Sequence, residues 1–158
     1  MQFLFLAFTA FTFHGAYGYP GGAPAGVCSS MKPIHREDAP QDNTKFPPPY
    51  EIVLPLNKTV SPGQVIQIHL ATKSAANQVA FKGFLVTARK KTSRPDNTPH
   101  GTFISEVPAS KRSPVTLSKL LNCSGLLNSS VTHRNSDDKQ RVTLTWRAPM
   151  IPREYFFV

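Results

Sequence analysis

Beyond Pro49, short apolar runs alternate with clusters of turn-forming residues, and this alternation limits the fold more than any other feature of the chain. The runs with the composition of strands are 50–56, 64–70, 79–89, 102–107, 141–146 and 155–158. Between them lie the turn signals Ser61-Pro62-Gly63, Pro95-Asp96-Asn97, Pro99-His100-Gly101 and Ala148-Pro149. Fifteen prolines among 158 residues leave little room for long helices. The pattern therefore predicts an all-β domain, either a sandwich or a barrel.

The most regular of these strands is 141–146, in which apolar and polar residues alternate strictly. Its apolar residues, from Val142 to Trp146, fall on one face, as the two-residue period of a half-buried strand requires. In the run 79–89, Gly83 indicates a bulge or a close approach of the backbone to another group. The segment 113–123, "SPVTLSKLLNC", fits both strand alternation and one turn of helix, so a short helix and a loop strand both remain open.

The first residues, "MQFLFLAFTAFTFHGAYGYP", predict a signal peptide over 1–18. Its apolar run has the length of a signal core, and Ala16 and Gly18 have the spacing of a cleavage site before Tyr19. The alternatives for this run are a buried amino-terminal strand or an anchor. It is too short to cross a bilayer, and no later run approaches the necessary length. We therefore expect a secreted, extracellular domain over 19–158, with no transmembrane segment in this chain.

The chain has two cysteines, Cys28 and Cys123, and both follow the predicted signal peptide. In a secreted domain the simplest state of such a pair is a disulfide. A bridge that closes so long a loop would stabilise the fold by roughly 4–5 kcal/mol in the chain-entropy model. The alternative is a pair of buried thiols.

Three Asn-x-Ser/Thr triplets also agree with export, because this triplet is the acceptor for N-linked glycans. They begin at Asn57, Asn122 and Asn128. The middle residue of the second triplet is Cys123, one of the two cysteines expected in the disulfide. We expect a glycoprotein that carries its glycans at these positions.

Enzymatic signatures are absent from the sequence. It contains no Gly-rich phosphate loop, Cys-x-x-Cys, Gly-x-Ser-x-Gly or His-Glu-x-x-His motif, and it has only nine carboxylates. Asp137 and Asp138 lie in the polar run "RNSDDKQR", which reads as a solvated hairpin turn. We therefore expect a protein that binds rather than catalyses, with no catalytic residues and no cofactor.

Four histidines follow the predicted signal peptide, at His35, His69, His100 and His133. A metal site needs three or four ligands that converge, and the spacing of these histidines does not indicate convergence. A disulfide would bring His35 and His133 into one region, so a shared site is one hypothesis. Structural histidines held by hydrogen bonds are the favoured interpretation, and no metal is expected.

Basic residues give the chain a formal net charge of +9, and several of them cluster. The clustered residues are Arg89, Lys90, Lys91, Arg94, Lys111 and Arg112. Clustered charge of one sign attracts polymers of the other sign, so the expected partners are anionic microbial surface polymers or acidic glycans. Secretion argues against nucleic acid. The alternative is that these residues only keep a loop surface solvated.

An ordered series of short motifs resembles the reeler (reelin) domain. It opens with Tyr19-Pro20, Cys28, Met31, Pro33 and His35. It continues with "PPPYEI", "SPGQVIQIHL", "FKGFLVTAR", "GTF", "LLNCSG", "VTHR" and "VTLTWRAP" in the same order as in the family. No single motif is specific, but the ordered set extends from Tyr19 to Pro149.

The resemblance implies an antiparallel β-sandwich, immunoglobulin-like in form, whose cysteines near each end are paired. It also implies three biological settings. Small secreted proteins of invertebrates share this layout and are regarded as defence proteins that bind microbial surfaces, which is the function we expect. The alternatives are the amino-terminal module of a ferric-chelate-reductase-like membrane oxidoreductase and a glycan-binding module of the extracellular matrix.

The end of the chain departs from the family pattern. Family members usually continue beyond the equivalent of "YFFV" (155–158) with a further aromatic-rich strand. From the resemblance we expect a sandwich without its last strand in these 158 residues. A truncated isoform, a partial gene model and a natural short form all remain open.

Overall fold

The computed structural model describes residues 19–32, 48–56, 59–73, 79–94, 96–105 and 116–158. The predicted signal peptide lies outside these residues, as do His35, Asn57, Lys111 and Arg112. Within them, a 3-10 turn at Ala25–Val27 precedes the strands β1 Tyr50–Val53, β2 Val65–Thr72, β3 Leu85–Lys90, β4 Thr102–Ile104, β5 Ser118–Cys123, β6 Leu126–His133, β7 Arg141–Arg147 and β8 Tyr155–Phe157. In these ranges there is no helix with the length and apolar character that a bilayer crossing requires.

The strands form two four-stranded sheets. The first sheet has the order β1-β2-β7-β4, and the second has the order β5-β6-β3-β8. Each pair of neighbouring strands is antiparallel. The prediction of an antiparallel β-sandwich is therefore confirmed.

The core lies between the two sheets and is filled by their inward-facing side chains. On β7, Val142, Leu144 and Trp146 are each 2% exposed, while the residues between them are more exposed, as the alternation of the sequence predicts. The other strands contribute Ile68, Val86, Phe103 and Val131 to the same cluster. The period-two pattern of β7 thus fixes which face of the first sheet is buried.

The segment 113–123 is resolved as strand rather than helix in its described part, because it forms a hairpin with β6. Ser124 (φ +55°) and Gly125 (φ +74°) connect the two strands, and two successive positive φ values are typical of a type I′ hairpin turn. The register shifts between Leu121 and Cys123. At this irregularity Asn122 Oδ1 accepts a hydrogen bond from the backbone N–H of Asn128 at 2.8 Å.

The run 79–89 is strand only in its second half. Phe81 makes an isolated bridge to Lys139, and regular pairing begins at Leu85. Between them, Gly83 lies against the imidazole of His133, where an added Cβ would be 3.0 Å from Cε1. Gly83 therefore marks the close backbone approach that its position in the run predicts.

Most of the polar run "RNSDDKQR" is exposed, as expected of a solvated turn. It is not the turn of a hairpin, however, because it joins β6 to β7, which belong to different sheets. It also contains a buried residue, Lys139, which is only 3% exposed. Its ammonium group donates to the carbonyl oxygens of Lys82 at 3.0 Å, Asn135 at 2.8 Å and Asp137 at 2.7 Å. Burial lowers the pKa of Lys139, although the charges of Asp137 and Asp138 oppose that shift. Three carbonyls match the three N–H groups of the ammonium, so Lys139 holds the loop onto the start of β3.

Replacing Lys139 with Met should lower the free energy of unfolding by about 3 kcal/mol, because three partly buried carbonyls lose a charged donor. The matched control is Lys82→Met in the same region, since the Lys82 side chain is 72% exposed and lies 3.9 Å from Asp138. Urea unfolding should show a change of less than about 0.5 kcal/mol for the control. Equal effects of the two substitutions would contradict the structural role of Lys139.

Candidate functional site

The amino-terminal segment 19–31, here called the strap, packs on the face of the second sheet that points away from the core. The backbone N–H of Ala23 donates to Oγ1 of Thr132 on β6 at 2.9 Å. Gly22 has φ +112°, and a Cβ at this position would lie 2.5 Å from the carbonyl oxygen of His133. The strap therefore covers the second half of β6, which is buried throughout.

A disulfide fixes the strap to the second sheet. Cys28 of the strap is bonded to Cys123 at the end of β5, with a Cα–Cα distance of 5.6 Å and 95 residues of separation in the chain. Both cysteines are buried. This is the pairing that the reeler resemblance implies.

Arg89 adds a second attachment beside the disulfide. Its Nη2 donates to the carbonyl oxygens of Cys28 at 3.1 Å and Ser29 at 3.0 Å, and its Nη1 donates to Oδ1 of Asn97 at 2.8 Å. The residue is only 9% exposed. This differs from its expected place in an exposed ligand-binding cluster, because the alternation of β3 turns Arg89 toward the strap. The guanidinium group of Arg89 therefore holds the strap in place and is not part of the exposed cationic cluster.

His133 makes a third attachment, between the strap and β3. Its Nδ1 accepts a hydrogen bond from the backbone N–H of Phe84 at 3.0 Å, and its Nε2 lies 2.8 Å from the carbonyl oxygen of Tyr19. An imidazole protonated on Nε2 satisfies both contacts, since that nitrogen then donates to Tyr19. His133 is thus a structural histidine, as the sequence analysis favours.

The other described histidines also have protein partners. Nδ1 of His69 lies 3.0 Å from Oγ1 of Thr143 across the β2–β7 pair. Burial lowers the pKa of His69, and the charge of Arg141 lowers it further. Among the residues that the structure describes, His, Cys, Asp and Glu side chains form no group of three or more that could hold a metal.

The basic residues that do reach solvent lie where β3 ends. Lys91 and Arg94 are exposed, and Lys90 is half-buried. Nζ of Lys91 donates to Oε1 of Glu154 at 2.8 Å, and the backbone N–H of Lys91 donates to the carbonyl oxygen of Glu154 at the same distance. The structure thus brings this basic loop, residues 90–94, next to Arg153 and Glu154, which the sequence analysis did not single out. The sole feature of the sequence that could have indicated Arg153 is its position just before the last strand-like run, 155–158.

The basic loop is held by contacts at both ends. Beyond Arg94, Oδ1 of Asp96 accepts from the backbone N–H of Thr98 at 2.9 Å, and Asn97 is bonded to Arg89. Within the loop, the hydroxyl of Thr92 donates to the carbonyl oxygen of Arg94. The exposed cations are therefore presented on an ordered turn.

Two of the predicted glycosylation positions lie close together at the β5–β6 hairpin. Asn122 and Asn128 are both exposed, and the side chain of the first accepts from the backbone of the second. Their occupancy by glycans remains a prediction, as it does for Asn57.

Residues 26–158 match the sequence model of the Reeler domain. The chain belongs to the reeler family. The match includes both cysteines, the basic loop and all eight strands of the described residues. It leaves out the first part of the strap.

Curated relatives of this reeler chain fall into two groups. "Putative defense protein 3" of Antheraea mylitta is 35% identical over 131 residues, which are 83% of this chain and 68% of that protein. "Putative defense protein Hdd11" of Hyphantria cunea is 32% identical over 145 residues, 90% of this chain and 76% of that protein. "Putative ferric-chelate reductase 1 homolog" of Drosophila melanogaster is 30% identical over 133 residues, 83% of this chain but only 18% of that protein.

A solved structure shares the fold. The crystal structure of the Reelin-N domain of F-spondin superimposes with a TM-score of 0.50 over 70% of this chain and 69% of that chain. Sequence identity in this comparison is 16%, so the likeness concerns the fold alone.

Replacing Arg89 with Met should lower the free energy of unfolding by about 2–3 kcal/mol, because three oxygen acceptors lose a charged donor at a buried position. Arg94→Met is the matched control, since Arg94 is exposed and its loss should change stability by less than about 0.5 kcal/mol. Both variants should keep the disulfide, which thiol counting would verify. An Arg89 variant as stable as the control would contradict the attachment described above.

The stability of the fold should fall as the pH drops below the ordinary histidine pKa of 6.5, in part because of His69. Its pKa is lower in the folded chain, so the unfolded chain binds the proton more readily. The contribution of His69 is complete above pH 6.5 and is lost as the pH falls through its folded pKa. His69→Gln should reduce the drop in unfolding free energy between about pH 7.5 and about pH 5. A drop identical to that of the wild type would show that His69 does not contribute.

Proposed function

We propose that this reeler chain is a secreted binding protein of innate defence, which uses the basic loop to hold anionic components of microbial surfaces. The observation that carries this proposal is the ordered presentation of Lys90, Lys91 and Arg94 at one end of the sandwich. Arg153 adds a further cation beside them, whereas Glu154 is the acidic neighbour and is engaged by Lys91. The loop therefore has a positive balance on a fixed backbone.

The similarity to defence proteins supports the biological setting. The alignments with "Putative defense protein 3" and "Putative defense protein Hdd11" extend over more than two thirds of both partners. Their names describe a role in defence, and the proposal transfers that role to this chain. The predicted signal peptide supports the secretion that we propose, and so does the disulfide, because disulfides persist in oxidising compartments.

The proposed activity is binding and not catalysis. On β6, the side chains of His133 and Thr132 are engaged by contacts with the strap. The exposed cations of the basic loop offer charge and hydrogen-bond donors, which are the groups that recognise phosphate and carboxylate. They suit anionic polymers such as lipopolysaccharide and lipoteichoic acid.

A second candidate function is the amino-terminal module of a ferric-chelate-reductase-like membrane oxidoreductase. The observation that favours it is the 30% identity to the Drosophila melanogaster protein over 133 residues. The transcript sequence beyond Val158 distinguishes the candidates, because haem-binding and membrane-spanning segments downstream would favour the reductase. A matrix module that binds acidic glycosaminoglycan would use the same basic loop, and binding to heparin in preference to microbial polymers would favour it.

The first proposal predicts that Lys91→Gln combined with Arg94→Gln weakens binding of the chain to immobilised lipopolysaccharide or lipoteichoic acid about tenfold or more, since each cation near an anionic surface contributes about 1 kcal/mol. The control is Lys73→Gln combined with Lys82→Gln. It removes the same charge at the opposite end of the sandwich, before β3 begins, and should leave binding nearly unchanged.

Salt provides the second readout of that experiment. Raising the ionic strength from about 0.1 M to about 1 M shortens the screening length from about 10 Å to about 3 Å and should release the wild-type chain. A neutral β-glucan, measured in parallel, should bind weakly and without salt dependence. Salt-insensitive binding, or equal losses in the two double variants, would refute the assignment to the basic loop.

A further inference from the structure

A cleft of about 420 Å³ opens between the two sheets at the same end of the sandwich as the basic loop. One wall is aromatic: Trp146 of β7 packs edge-to-face on Phe157 and Tyr155 of β8, with ring centroids 5.1 Å and 6.0 Å apart. The opposite wall consists of apolar side chains from β2 and from the segment that follows β1, namely Leu54, Val60 and Ile66. The cleft is thus lined mainly by carbon atoms.

Two loop segments border the cleft. The turn Ser61-Pro62-Gly63 follows β1, and Gly63 donates from its backbone N–H to the carbonyl oxygen of Pro149 at 3.4 Å. The hydroxyl of Tyr155 donates to the carbonyl oxygen of Ile151 at 2.9 Å. Prolines lack the N–H that strand pairing needs, so the Pro149–Pro152 segment borders the cleft instead of closing it as a strand.

The lip of the cleft exposes large apolar side chains. Leu54 is 41% exposed and Ile151 is 62% exposed, and both line the cleft. Leu56 and Met150, which neighbour them in the chain, are also exposed. Clustered exposure of this kind marks a binding surface more often than an inert one.

Charge lies at the edge of this apolar surface. Arg153 and Glu154 belong to the cleft lining, and Lys91 of the basic loop is hydrogen-bonded to Glu154. Because Lys91 and Glu154 offset each other, Arg153 leaves the edge with a positive balance. An apolar cavity with cations at its rim is complementary to a molecule with an apolar tail and an anionic head.

We propose that the cleft binds the acyl chain of an anionic amphiphile, whose head group lies against Arg153 and the basic loop. This inference rests on the proposed function, since it assigns a lipid anchor to the anionic components that the basic loop holds. The volume falls within the roughly 300–1,000 Å³ of small-molecule sites. The aromatic and aliphatic walls offer few partners for the hydroxyl groups of a sugar, so the hydrocarbon part of the ligand is the part that enters.

The chain carries its own reporter for this site, because Trp146 is its sole tryptophan and lines the cleft. A bromine atom quenches indole fluorescence on contact, so a terminally brominated fatty acid, bromoundecanoate, serves as the probe below its micelle concentration. We expect saturable quenching that unbrominated undecanoate reverses by competition. Bromopropionate has the same carboxylate and bromine but almost no chain, and it should not quench.

Substitutions at the lip test the location. Leu54→Glu and Ile151→Glu place a carboxylate where the chain enters and should each weaken the binding of bromoundecanoate at least tenfold. The matched control is Leu127→Glu, a change at a residue that is 72% exposed and does not line the cleft. It should bind like the wild type, and near-ultraviolet circular dichroism verifies that all three variants are folded.

The proposal is overturned if bromoundecanoate does not quench, if bromopropionate quenches equally, or if the lip variants and Leu127→Glu bind bromoundecanoate with equal affinity. Quenching that occurs only with vesicles of brominated phospholipid would also overturn it, because the lip would then insert into a bilayer instead of enclosing one chain.

The head-group part is tested separately by Arg153→Gln, which should weaken bromoundecanoate at least threefold but leave bromoundecanol unchanged. Equal effects on the acid and the alcohol would refute the contact of the head group with Arg153.

Failure of the proposed function would give a different set of results. A chain that does not bind microbial polymers but shows competed quenching would refute the defence role and retain the cleft assignment. A chain that binds microbial polymers but shows no quenching by bromoundecanoate would retain the proposed binding function and refute the cleft assignment.

Discussion

The attachment of the strap to the second sheet is the constraint on which the rest of this structure depends. The Cys28–Cys123 disulfide sets the position of the strap, and Arg89 and His133 satisfy its carbonyl groups on either side. Without the strap, Thr132 of β6 would lose the backbone N–H of Ala23 as a hydrogen-bond donor. With it, the middle of β3 and the second half of β6 are buried on both faces.

The same attachment shapes the candidate site. Arg89 joins the strap to Asn97, so the segment that follows the basic loop is tied to Cys28 of the disulfide through one guanidinium group. At the near end, Lys91 pairs with Glu154 beside β8. The exposed cations and the apolar cleft therefore adjoin, because Glu154, the partner of Lys91, also lines the cleft. An amphipathic ligand fits this arrangement better than a purely polar one.

The sequence analysis predicted the sandwich correctly where local pattern and burial agree. In β7 each inward-facing residue is apolar, so the two-residue period of the strand is evident in the sequence. It failed for β6, because the buried residues Ser129, Ser130 and Thr132 have the composition of a polar loop. It also placed Arg89 with the exposed cations, since no local pattern reveals that carbonyl groups of a segment 60 residues away will surround it. The Ser124-Gly125 dipeptide was the available signal for the hairpin.

The central claim is that Arg89 couples the strap to the basic loop. Amide hydrogen exchange of the disulfide-bonded wild-type and Arg89→Met chains tests it most directly, because exchange reports local opening segment by segment. The account predicts faster exchange in Arg89→Met for peptides that contain the strap and for those that cover Lys91 to His100, with unchanged protection of β2 and β7. Unchanged exchange in both the strap and the loop, or equal acceleration across the whole sandwich, would contradict it.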